Sequence, residues 1–506
     1  MTEMLPSEFY ELYSKDRTDY EKRAEDYAIA TLPYLIRKDG SNKGTATPFK
    51  RAQSFCGGLV NTLRSKMGLA LLPPSTSSFR FRVDSQEMRD AFGEGDMEDK
   101  ESKSAFLSAL SDKTERINSE IEVQQIRPEL FRLLEQLLVV GSVVVEKMPK
   151  DGLVLHTLKS FAVKLNKRGH PLGICFVEAL SESELPEGVV IDKADKKKKG
   201  EDYTLYTYVY ENEDKKWVRK QEIDGVEVGK EVTYPSYIDC PIHYLGWTWV
   251  AGDSYHRPYV EDYYDDMKQL NSLAEILTRG ALAAAKIVFL VDETLGRTNK
   301  NDLAKSQTGD YHYGRAEDVQ VVQVGKNYDF QVPMEREANL KKELSRMFLS
   351  SESATRDAER VTAYEVSIMA RELEGSTVGG IYSSMALGFS KWLIHQMMRE
   401  LNIKFDSATP EILTGLDALG RSQEAQKLDG YIQRMTALGM MDYLNEEELA
   451  TRYASYDSIN TDGLVRTQKD VDKLRNTRQQ QALAAQNQQV AAQTAGKVVE
   501  NASKQG

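Results

Sequence analysis

Residues 260–287 read VEDYYDDMKQLNSLAEILTRGALAAAKI, and their spacing decides how the middle of the chain is built. Val260, Tyr264, Met267, Leu270, Ala274, Leu277 and Ala281 recur every three or four positions, which places them on one stripe of a long helix. Pro258 stands just ahead as a start signal. The same spacing disposes of a tempting motif. Tyr263-Tyr264-Asp265-Asp266 imitates the YxDD magnesium site of template-directed polymerases, which needs its paired carboxylates on a hairpin turn. A helix leaves no such turn.

Beyond this helix the pattern changes and then returns. Strand-like runs at 287–291 (IVFLV) and 318–324 (DVQVVQV) enclose a turn-rich stretch, KSQTGDYHYGRAED. Pro333 then opens a second helix, with Leu340, Leu344, Met347 and Phe348 on one face. The following stretch, SESATRDAERVTAYEV at 351–366, has no Gly or Pro, and its first ten residues carry no large apolar side chain. Arg356 and Arg360 alternate there with Glu352, Asp357 and Glu359. Thr362 and Glu365 form a capping box for the next helix, which Gly375, Gly379 and Gly380 interrupt before MALGFSKWLIHQMMREL resumes it.

Working outward, residues 1 to about 70 show helical spacing, and a helix at 53–72 stops at Pro73-Pro74. SSFRFRV at 77–83 alternates like a strand, and 96–121 returns to helical charge patterning. LFRLLEQLLVVGSVVVEK at 130–147 predicts an amphipathic helix, a break at Gly141 and a buried Val-rich strand. From about 143 to 249 the pattern is mostly β, punctuated by Gly152, Gly169, Gly225 and Gly229. The run Lys196 to Lys199 sits at a hairpin-like tip and fits a solvated loop better than a phosphate site. From Leu413 the chain is helical again. The Gln/Ala-rich tail from Arg478 has only a thin apolar stripe and needs copies of itself or a partner to form a helix.

Composition bounds the function. The 506 residues suggest about three domains, and 41% hydrophobic with 28% charged residues are globular values. No apolar run approaches the ~20 residues of a membrane span, and the N-terminus lacks the features of a signal peptide. Three scattered cysteines offer neither a disulfide framework nor a CxxC metal site and fit a reducing compartment. A net charge of −12 opposes tight, unspecific adhesion to phosphate, which rests on Lys and Arg. It leaves room for a protein that lets nucleic acid pass. The six histidines show no HxxxH or HExxH spacing, and no GxSxG elbow occurs. Residues 415–422 imitate a P-loop, but Arg421 replaces the phosphate-reaching lysine. His395, beside Trp392 and Leu393, is expected to be a packed or surface residue. Neither a catalytic residue nor a cofactor or metal site emerges, so no enzyme is expected.

Whole segments carry more than motifs do. AKSQTGDYHYGRAEDVQVVQVGKNYDF (304–330), RDAERVTAYEVSIMARELEGSTVGGIYS (356–383) and TGLDALGR (414–421) resemble the head-to-tail connectors, or portal proteins, of T7-like short-tailed bacteriophages (podoviruses). So do DYEKRAEDYAIATLPYL (19–35) and LVNTLRSKMGLALLPP (59–74). The similarity runs from about residue 15 to 430, while the acidic tip of the β region and the Gln/Ala tail depart from the pattern.

The resemblance implies an α+β, mainly helical portal fold with wing, stem, clip and crown, in a ring of twelve copies at one capsid vertex. Double-stranded DNA would pass non-specifically through its axis, during packaging and later ejection. Residues 1–257 would form the wing, helical first and β-rich from about 143. Residues 258–286 and 333–349 would be stem helices, 287–332 the clip and 350–361 the tunnel loop. Residues 362–405 would be wing and tunnel helices, 406–477 the crown, and 478–506 a barrel helix or disordered tail. Arg356, Arg360, Glu352, Asp357 and Glu359 would face the DNA channel. Tyr311, Tyr313 and Arg315 would dock partners at the clip, and Leu270, Leu277, Leu340 and Leu344 would pack between copies. Implied partners are the packaging ATPase (terminase large subunit), scaffolding and major capsid proteins and tail adaptors, without a membrane. Assembly would take place in the host bacterial cytoplasm. The rivals are another ring-forming head-tail adaptor, opposed by the clip-sized insertion between two stem helices, and a nucleic-acid-processing enzyme, opposed by the failed motifs.

Overall fold

The structure, a computed structural model, describes residues 4–36, 51–74, 77–83, 100–184, 202–285, 288–291, 300–307, 310–311, 319–322, 331–350, 363–403, 408–412, 428–440 and short stretches among 443–481. Its helices are α1 (Pro6–Ser14), α2 (Thr18–Ala30), α3 (Phe55–Leu71), α4 (Lys100–Val123), α5 (Ile126–Val139), α6 (Tyr264–Ala285), α7 (Lys300–Lys305), α8 (Gln331–Met347), α9 (Ala363–Glu374), α10 (Gly379–Met385) and α11 (Lys391–Glu400). The strands are β1 (Phe79–Val83), β2 (Ser142–Met148), β3 (Gly152–His156), β4 (Phe161–Leu165), β5 (Pro171–Leu180), β6 (Tyr203–Glu211), β7 (Trp217–Ile223), β8 (Val226–Tyr234), β9 (Ile242–Gly246), β10 (Val288–Val291), β11 (Val319–Val322) and β12 (Ala408–Ile412). The chain divides into two compact units, Met1–Leu72 with Glu120–Asn402, and Pro73–Ser119 with Ile403–Gly506. Among the described residues, no helix is long and apolar enough to cross a membrane.

The first unit is organised around the helix–glycine–strand step expected from 130–147. Leu130, Leu133, Leu134, Leu137 and Leu138 on α5 are fully buried or nearly so. Gly141 then turns the chain with φ +93°, where a Cβ would lie 2.6 Å from the Pro258 nitrogen. Only glycine meets both demands. β2 is the middle strand of an antiparallel sheet ordered β3-β2-β9. Its Val143, Val144 and Val145 have no exposure, so both faces are covered, which is why the sequence shows an unbroken valine run instead of alternation.

Strands β4 to β8 follow one another as a five-stranded antiparallel meander. Helix α1 lies on one face of it, with Phe9 packed on Tyr208 at 4.5 Å beside Cys175 and Val218. Glu222 of β7 is fully buried, and its carboxylate accepts the Ser7 backbone N–H at 2.9 Å. A negative group at a helix N-terminus satisfies an otherwise orphaned donor and complements the helix dipole.

In the second unit β1 pairs with β12 antiparallel, from Phe79 opposite Ile412 to Val83 opposite Ala408. Arg80 and Glu411 form an ion pair across the ribbon at 2.8 Å. β12 is not legible as a strand in the sequence, because it contains Pro410 and its partner lies far away in the chain. In a two-stranded ribbon a proline is tolerated, since its missing N–H need not face the partner.

At the edge of the first sheet, His256 lies flat against Gly246, where a Cβ would sit 2.1 Å from the imidazole ring. Its Nδ1 meets the Tyr244 hydroxyl at 2.9 Å, and its backbone N–H donates to Ser142 Oγ at 3.2 Å. Burial pushes the imidazole down to about 4. An unfolded histidine takes up its proton near ~6.5. Between those values the unfolded chain holds more protons, so stability falls as the pH drops through this window. His256→Gln is therefore expected to flatten the decline of the thermal midpoint between roughly pH 6.5 and 4.5. A variant whose midpoint falls with the wild-type slope would show that His256 is not among the groups responsible.

Candidate functional site at the foot of the helix pair

α6 and α8 pack against each other. They run antiparallel: Arg336 near the start of α8 donates to Gln269 at 3.2 Å, and Tyr259, just ahead of α6, reaches Met347 at the end of α8. α8 starts two residues before Pro333, which the first helical turn accommodates because its N–H groups have no intrahelical partner. Tyr263 closes a 3-10 turn (Tyr259–Tyr263) and Tyr264 opens α6, so the polymerase-like tetrapeptide lies on helical backbone. Asp265 and Asp266 are exposed there.

The apolar stripe is buried at one end of the pair and runs out at the other. Val260, Met267, Leu270, Leu340, Leu344 and Phe348 are buried within a single chain. The chain by itself therefore covers Leu270, Leu340 and Leu344, three of the residues expected to pack between copies. Leu277 is half-buried. Farther out, Ile276 and Leu282 on α6 are 53% and 68% exposed, and Val332 and Met334 on α8 are 74% and 59% exposed.

The buried end is closed by rings and hydroxyls. Tyr259 stacks edgewise on Phe348 at 5.1 Å, and Tyr263 and Trp247 complete the cluster. The Tyr259 hydroxyl donates to the Met347 carbonyl at 2.8 Å and meets Thr377 Oγ1 at 3.2 Å. α8 then ends in a Schellman-type cap: Ser350 N–H donates to Ser345 O at 2.7 Å and Leu349 N–H to Arg346 O at 3.2 Å. Leu349 has φ +52°, a left-handed position usually given to glycine. Its carbonyl accepts from Lys66 Nζ at 2.6 Å, and the same ammonium contacts Glu372 of α9 at 2.7 Å.

The two strands expected on either side of the turn-rich stretch are present: β10 pairs with β11 antiparallel, Val288 opposite Val322. Tyr311 is completely exposed, at 100%. Tyr313 and Arg315 lie outside the described residues, as do Glu352, Arg356, Asp357, Glu359, Arg360, Lys196 to Lys199 and the P-loop-like 415–422. His395 is half-buried, with Nε2 2.9 Å from Asp239 Oδ1 on the loop before β9. Among the described residues, no three His, Cys, Asp or Glu side chains are grouped to share a metal ion.

Lys66, Tyr259 and Leu349 escaped the sequence reading. Lys66 did leave a signal, since Leu59, Leu63, Lys66 and Ala70 occupy one helical stripe and a cation interrupts it. Tyr259→Phe keeps the ring packing but strands the Met347 carbonyl and the Thr377 hydroxyl, with an expected loss of about 1–2 kcal/mol. Leu270→Asp, placing a carboxylate in the buried stripe, should cost roughly 3 kcal/mol or more. Chemical denaturation of the two variants checks both the order and the size of these losses.

A sequence profile of the family described as bacteriophage head to tail connecting protein matches residues 6–465. The portal protein of Escherichia phage T7 is 31% identical over 503 aligned residues, covering 95% of this chain and 90% of the relative. The portal protein of Enterobacteria phage T3 is also 31% identical, covering 98% of this chain and 92% of the relative. Among solved structures, a chain in the neck of an empty gene transfer agent particle aligns over 79% of this chain and 90% of its own length. Its identity is 11% and its TM-score 0.38, a likeness too loose to carry an argument. The near end-to-end match with the phage portal proteins decides the question: the chain belongs to the bacteriophage head-to-tail connecting protein family.

Proposed function

We propose that this chain is a phage portal protein, a structural conduit in the virion rather than an enzyme. Copies form a ring of twelve at one capsid vertex, and double-stranded DNA is packaged and later ejected along its axis. The observation that carries this reading is the alignment with phage portal proteins over 95% of the chain. The antiparallel pair α6–α8 with a β10–β11 ribbon between them supports it, as the stem and clip of each copy. In this reading the wing is 1–257, the stem helices 258–286 and 333–349, the clip 287–332, the tunnel loop 350–361, and the crown 406–477. The clip, with Tyr311, Tyr313 and Arg315, receives the packaging ATPase and later the tail adaptors. Scaffolding and major capsid proteins surround the wing, and assembly takes place in the host cytoplasm.

The exposed apolar residues at the far end of the helix pair fit a neighbouring copy. Burying Ile276 and Leu282 there would cover apolar surface that the chain leaves in water, on the flanks of the stripe that carries Leu270. Imaging of the purified protein in negative stain should show rings with a central hole. Ile276→Asp should leave a folded chain that no longer closes rings. Purified wild-type protein that stays monomeric at every concentration would remove the main support for this reading.

Arg356 and Arg360 are assigned to the channel wall. Glu352, Asp357 and Glu359 compete for the same guanidinium groups, so each contact with a passing phosphate stays weak. Arg356→Ala with Arg360→Ala should spare folding and ring assembly, because a solvated segment contributes little to stability. Filled heads of the double variant should lose their DNA, to a degree that changes with salt. Normal retention across a salt series would count against the channel role.

A further inference from the structure

Helix α3 turns Leu59, Leu63 and Met67 into the core, and Lys66 sits in the same buried region at 4% exposure. An ammonium group taken out of water is unfavourable unless its donors are matched. Those of Lys66 are matched by Leu349 O at 2.6 Å and Glu372 Oε2 at 2.7 Å. Glu372 keeps 39% of its side chain exposed, so it has water available and does not depend on the lysine for solvation. What the pair adds is geometry. Leu349 closes α8 and Glu372 lies on α9, one on each side of residues 351–362. A second tie runs in parallel, since the Tyr259 hydroxyl bridges Met347 O and Thr377 Oγ1, again one partner on each side.

We propose that Lys66 is a positioning residue for DNA passage: by binding the end of α8 and α9 together, it holds the two flanks of residues 351–362 as one body with α3. The left-handed Leu349 fits this role, because its unfavourable backbone aims the carbonyl at the ammonium group. The cost of a buried cation is accepted where it fixes one arrangement over its alternatives. This proposal rests on the portal reading above.

The test uses phage heads assembled around wild-type, Lys66→Met, Glu372→Ala and Lys66→Met/Glu372→Leu rings, filled with DNA and then challenged with salt. Retention is read as nuclease-protected DNA, and stability as the thermal midpoint of each ring. Lys66→Met and Glu372→Ala are each expected to lower retention about tenfold, the size of an ordinary coupling between sites. The double variant removes the buried charge and should regain most of the midpoint, yet retention should stay low because the lysine tie is gone and the Tyr259 tie has to hold the two flanks without it. Recovery of both quantities together would make Lys66 a stability residue only and overturn the proposal. So would wild-type retention in Lys66→Met, or in Glu372→Ala should the lysine variant fail to fold. Wild-type heads that package no DNA at all would overturn the portal reading, and this proposal with it.

Discussion

Tyr259 is where the β-rich part of the first unit, the start of one helix and the end of the other meet. Its ring packs between Trp247 and Phe348, and its hydroxyl reaches Met347 and Thr377. A helix pair whose outer stripe is exposed has too little apolar surface of its own to hold a fixed direction. Its orientation therefore comes from the foot, where Val260, Met267, Leu270, Leu340, Leu344 and Phe348 are all buried. The glycine at 141 belongs to the same constraint. By letting the 256–258 backbone approach β2 to within van der Waals distance, it brings Tyr259 to the position from which α6 departs.

Charge shapes the function as firmly as packing shapes the fold. A formal net charge of −12 on each copy makes an attractive basic wall impossible except locally. Each phosphate neutralised by a protein cation adds affinity through released counterions, and a duplex held at many such points does not slide. A portal must guide a polyanion without gripping it. On the portal reading, the mixed arginines and carboxylates of 351–362 would suit that requirement, whereas the buried ammonium of Lys66 is spent on protein partners.

The elements that the sequence made legible are those whose pattern is local. The helix–Gly141–strand step, the stripe from Val260 to Ala274 and the Phe79–Val83 alternation each show within a dozen or so residues, and each is found where it was expected. What stayed hidden depends on distant partners. β12 becomes a strand only because β1 is beside it, and Pro410 argues against it locally. Lys66 shows in the sequence only as a cation within an apolar stripe, and its partners Leu349 and Glu372 come from nearly 300 residues away. The packing role between copies expected for Leu270, Leu340 and Leu344 rests on the resemblance, because helix spacing shows that a stripe must be buried but not by which molecule.

The helix pair meets two different surroundings along its length. Toward the foot, α2 and α3 reach the pair as well, and the apolar residues are consumed inside one chain. Farther along, Ile276, Leu282, Val332 and Met334 are left in water. Each exposed apolar side chain forgoes roughly 1.5–3 kcal/mol of burial. In a ring the same surface is covered by the next copy. On the portal reading, the foot would set the direction of the helix pair within each copy, and the apolar residues left exposed farther out would be the surface that the next copy covers.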